Sequence, residues 1–72
     1  MAYINSRDIK KCSNVICELL KEKNIIFSKD VLSKITIDVM NISYAKGGDY
    51  SEKIIKCFAE VYIEDGLYKK FL

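Results

Sequence analysis

The sequence predicts an all-α domain of three helices closed by a short C-terminal turn. Three observations carry that prediction. Apolar residues recur at helical spacing in three separate runs, residues with helix-start and helix-stop character punctuate those runs, and the 72-residue chain contains no proline. Proline is the residue that most strongly interrupts a helix, so its absence agrees with three unbroken ones. The predicted helices span about 7–23, 29–46 and 50–65, within a single domain covering residues 1–72.

In the first run, Ile9, Cys12, Val15, Ile16, Leu19 and Leu20 form one apolar stripe. Lys10, Lys11, Asn14, Glu18, Lys21 and Glu22 take the opposite side. Asn5 or Ser6 can cap the start, and Asp8 suits the positive pole of the first turn. Lys21 and Lys23 suit the negative pole, and Asn24 is fit for the left-handed residue that ends a helix.

The second run is the most demanding. At about 100° per residue, Val31, Leu32, Ile35, Val39 and Ile42 share one side, while Ile37, Met40 and Tyr44 share another. A helix with two apolar stripes needs cover on both, which would place it at the centre of the fold. Within it, Ile35, Ile37 and Val39 alternate with Thr36 and Asp38, the pattern of a half-buried strand. Three features favour the helix: Ser28 as an N-cap, Asp30 four residues before Lys34, and the three- and four-residue spacing of both stripes. Phe27 precedes that cap and lies where it would staple onto Leu32. Lys46-Gly47-Gly48-Asp49 then reads as a tight turn.

The third run holds Ile54, Ile55, Phe58, Val61, Tyr62 and Ile63, with Glu52 four residues before Lys56. Asp49 and Glu52 fit an acidic capping box, with Ser51 as the rival cap. Gly66 suits a left-handed exit, after which Leu67 can pack back on Tyr62. The tail from Leu67 to Leu72 is apolar at four of six positions and is expected to form one more turn or to dock on a partner.

Composition narrows the chemistry. A net charge of +2 is too small to imply a polyanionic partner; residues 1–36 hold seven basic and four acidic groups, residues 37–72 five and six. There is no histidine, so the commonest general base is missing. Cys12, Cys17 and Cys57 are odd in number and show no C-x-x-C spacing, so neither a disulfide framework nor a structural zinc site is expected. Cys12 and Cys57 are expected in the core. The carboxylates of Asp8, Asp30, Asp38, Asp49, Glu52, Glu60, Glu64 and Asp65 each have a capping, pairing or surface role. Gly47-Gly48 lacks the spacing of a phosphate loop. No cofactor, metal or enzymatic activity is therefore expected. Neither a leader-like pattern nor an apolar run approaching a membrane span is present, and with three thiols the expected location is cytoplasmic. Ile, Lys, Asn and Tyr make up 31 of 72 residues, the mark of an A/T-rich genome such as that of a low-GC bacterium, its phages and plasmids, or a virus.

The expectation is a small, non-enzymatic protein–protein interaction module that self-associates as a homodimer. A heterologous protein is the alternative partner, and the genome signature would fit a phage or mobile-element accessory protein that inhibits a host protein. Ile25, Ile26, Phe27, Tyr50, Leu67, Tyr68, Phe71 and Leu72 are the candidate contact residues, because so small a core has little capacity to cover them. Tyr3 is a further aromatic flank of this kind. The rival reading is a small dimeric DNA-binding regulator of helix-turn-helix type. Its contacts would be Arg7, Lys10, Lys11, Lys21, Lys23 and Lys29. Against it, the third helix opens with Asp49, Tyr50, Ser51 and Glu52, and guanine reading usually falls to arginine, of which Arg7 is the sole example.

Overall fold

All three apolar runs fold as helices in the computed structural model, which describes residues 6–71. α1 spans Ser6–Glu22, α2 Lys29–Ala45 and α3 Glu52–Glu64, and a 3-10 turn over Leu67–Phe71 follows. Each predicted helix is found, with no end displaced by more than two residues. The stretch 34–39 is helical despite its alternating pattern. Thr36 is accommodated there because its hydroxyl donates to the Leu32 carbonyl at 2.7 Å, one turn back.

The punctuation works through specific bonds. Asn24, at φ 58°, ends α1 with the Ile25 N–H on the Leu20 carbonyl (3.0 Å) and its own N–H on Lys21 (3.1 Å), a Schellman ending. Ser28 Oγ accepts from the Val31 N–H at 3.2 Å, and Lys34 pairs with Asp30 at 3.2 Å. Gly66 leaves α3 at φ 73°. The expected capping box of Asp49 and Glu52 does not form. Asp49 Oδ1 accepts instead from the Ser51 N–H at 2.9 Å, a local turn that leaves Ser51 at the cap position without a side-chain bond.

The core draws Cys12, Ile16, Leu19 and Leu20 from α1, Ile35, Val39 and Met40 from α2, and Ile55, Ala59, Tyr62 and Ile63 from α3. Every helix packs on the other two. Cys12 Sγ lies 3.8 Å from the Tyr50 carbonyl, which sets the first half of α1 beside the start of α3. Tyr62, near the end of α3, reaches Asp38 in the middle of α2.

The two-stripe expectation for α2 is corrected. Its buried face is Ile35, Thr36, Val39, Met40 and Ser43, while Ile37 and Tyr44 are 41% and 57% exposed. Thr36 and Ser43 hold the middle of the buried arc because both hydroxyls are satisfied there, Ser43 Oγ donating to the Asp49 carbonyl at 2.7 Å. With the helix fixed at that rotation, Ile37 and Tyr44 fall outside the packed arc. α2 is one wall of the bundle rather than its axis.

Candidate functional site

Apolar side chains that the core leaves uncovered converge between α2 and α3. Half-buried Ile42 and Phe58, with exposed Cys57, Val61 and Leu67, line a groove of about 230 Å³ against Tyr62. Lys46 is the only charged residue of the lining. On α3, Cys57, Val61 and Glu64 form an exposed ridge at i, i+4 and i+7 beside it. The volume falls below the roughly 300–1,000 Å³ typical of small-molecule sites and suits one or two anchoring side chains. A larger cleft of about 450 Å³ between α1 and α3 mixes Glu18, Glu22 and Glu52 with Lys53 and Lys56.

Of the contact residues anticipated from sequence, the groove takes only Leu67. Ile25, Phe27, Tyr50, Tyr68 and Phe71 lie half-buried against the core, and Ile26 is 92% exposed in the α1–α2 connection. Leu72 and Tyr3 lie outside the described residues. Sequence reasoning passed over Ile42, Cys57, Phe58 and Val61. Their signal was an apolar arc on α3, from Cys57 through Val61 and Phe58, too wide for one neighbouring helix to cover.

Cys57 is therefore exposed, not buried as expected, because it sits on the outer ridge of α3. Cys12 is buried, and burial pushes its thiol pKa up; Cys17 is half-buried. All three are free thiols. Tyr44, expected to be partly covered, is mostly exposed. Tyr62 is buried and donates to Asp38 Oδ2 at 2.7 Å. Burial and the Asp38 carboxylate together push the phenol far up. Lys70 Nζ lies 2.8 Å from the same oxygen and 5.1 Å from the Phe71 ring centroid, so Asp38 ties the C-terminal turn to the bundle.

The six basic residues anticipated as nucleic-acid contacts fall into two exposed groups. Arg7, Lys10 and Lys11 occupy the first turns of α1, and Lys21, Lys23 and Lys29 gather around the α1–α2 connection, about 15 Å further along. Glu18 lies between them. Among the described residues, no group of three or more Cys, Asp or Glu is placed to hold a metal ion, and no helix is long and apolar enough to cross a membrane.

No family model matches this chain, and no curated protein or solved structure matches it either.

Proposed function

We propose that the chain is a non-enzymatic protein-interaction module whose working surface is the groove between α2 and α3. The observation that carries this reading is the pair Val61 and Leu67, 52% and 46% exposed, rimming a groove whose lining is apolar except for Lys46. Apolar surface gathered beside a concavity is a feature of interaction sites, whereas single exposed apolar residues such as Ile26 are ordinary. Amphipathic helices dock into such grooves through anchors spaced at i, i+3, i+4 and i+7. The absence of histidine from the sequence and the commitment of Asp38 to Tyr62 and Lys70 speak for binding rather than acid–base chemistry.

In-cell photo-crosslinking in the native host tests this. A photo-reactive phenylalanine analogue at Val61 should form protein adducts, and the same group at Lys10, on the outer face of α1, should not. Adducts from position 10 with none from position 61 would contradict the proposal.

A further inference from the structure

Among the described elements, the C-terminal turn alone contributes no fully buried residue. We propose that Leu67–Phe71 is a strap, hinged at Gly66 and latched by Lys70 on Asp38, whose release lengthens the groove between α2 and α3. The hinge stands on its own contacts; its effect on binding rests on the groove being the working surface.

The turn is held lightly. It packs on α2 and α3 and not on α1. Tyr68 and Phe71 lie half-buried against the core, and Leu67 stands outside it. Five residues is long for a 3-10 helix, whose hydrogen bonds are poorly aligned. At its start stands Gly66, at φ 73°, whose carbonyl accepts from the Lys69 N–H at 3.1 Å. Without a Cβ, this residue can turn through backbone conformations closed to other residues. A few element-terminal positions of this kind suffice to absorb a hinge rotation.

The latch opens without orphaning a charge. Lys70 Nζ lies 2.8 Å from Asp38 Oδ2, the only polar bond from the turn to the helices among the described residues. When Lys70 leaves, its ammonium goes to water and Asp38 keeps the Tyr62 hydroxyl at 2.7 Å. A pair whose lysine is exposed holds weakly, so the turn can open far short of global unfolding. Released, it takes Leu67 out of the groove lining, while Ile42, Cys57, Phe58, Val61 and Tyr62 stay on α2 and α3. With the turn in place the groove admits one or two side chains, whereas an amphipathic helix brings anchors spread over about two turns. Docked, the turn stops the groove at Leu67; undocked, it leaves the seam open as far as Asp38 and Tyr62.

Hydrogen exchange of the full chain and photo-crosslinking from position 61 test the two parts separately. In wild type the Lys69 amide should exchange through local opening, nearly independent of urea, while Ala59 and Tyr62 should follow the steep urea dependence of global unfolding. Lys70→Glu sets a carboxylate against Asp38 and should speed exchange at Lys69 about fivefold or more. Lys70→Arg, which preserves the pair, should match wild type. Should Lys70→Glu fail to fold, Lys70→Ala removes the latch without adding repulsion and is read the same way. The yield of adducts from the photo-reactive group at Val61 should rise in Lys70→Glu and stay at its wild-type level in Lys70→Arg. Exchange at Lys69 as slow and as urea-dependent as at Ala59 would overturn the hinge. A loosened turn with a lower adduct yield would overturn the gating and make the turn a fixed wall of the site. No adducts from position 61 in any variant would overturn the groove reading and the gating with it, and the hinge would then stand or fall on exchange alone.

Discussion

Tyr62 donates its hydroxyl proton to Asp38 across the α2–α3 interface, 2.7 Å from Oδ2, and Lys70 meets the same oxygen at 2.8 Å. One carboxylate thereby joins two helices and the C-terminal turn. Partial burial by itself raises the Asp38 pKa, but the bonds from Lys70 and Tyr62 outweigh it and hold the carboxyl below its ordinary value. A depressed carboxylate stabilises the fold above its unfolded pKa of about 3.9, and the benefit disappears as pH falls through the lower folded value. Asp38→Asn should therefore cost about 1–2 kcal/mol at neutral pH, the site being partly solvated. The difference from wild type should shrink steadily below about pH 4. Urea unfolding across pH measures it, and a gap that widened in acid would refute the assignment.

The two turn glycines should fail for different reasons. A Cβ on Gly48 would lie 2.8 Å from Ser43 Oγ and 3.1 Å from Ile54 Cγ2, and Ser43 is held by its bond to the Asp49 carbonyl. Gly48→Ala should cost about 1–3 kcal/mol through overpacking. Gly47 meets nothing within 4 Å but stands at φ 80°, so Gly47→Ala should cost about 1–2 kcal/mol through left-handed strain. Against a Ser43→Ala background, which removes the hydroxyl, Gly48→Ala should cost less than in wild type, while the cost of Gly47→Ala should be unchanged, as thermal melts would show.

Tyr50 offers the converse case. Its hydroxyl is enclosed with no hydrogen-bond partner among the described residues. A buried polar group without a partner carries its desolvation cost uncompensated, so Tyr50→Phe should be neutral or stabilising by up to about 1 kcal/mol. A loss above that range would reveal a partner for the hydroxyl.

Thiol reactivity should follow exposure. Cys57 should label rapidly in the native state, Cys17 more slowly, and Cys12 only on unfolding, because it is buried and its thiolate is disfavoured. Mass spectrometry of a timed alkylation resolves the order. Early modification of Cys12 would contradict the packing of α1 on α3.

The helices were legible because their signals are local. One apolar stripe sufficed for α1, and Ser28, Asn24 and Gly66 mark ends through bonds made within a few residues. Helix rotation was not legible. Hydropathy ranks Ile37 and Tyr44 above Thr36 and Ser43 as core residues, yet the hydroxyls of Thr36 and Ser43 find carbonyl partners that only the folded backbone supplies. The link between Asp38 and Tyr62 spans 24 positions and depends on how α2 meets α3. The groove was missed for the same reason, since Ile42, Phe58 and Val61 become neighbours only once both helices are placed.

Methyl NMR of the wild-type chain titrated with soluble protein from its native host tests the groove most directly. The methyl signals of Ile42, Val61 and Leu67 should shift or broaden together, while those of Ile26 and Ile37, exposed but outside the groove lining, stay fixed. Changes centred on Ile26 or Ile37, with Val61 and Leu67 unmoved, would contradict the groove as the working surface.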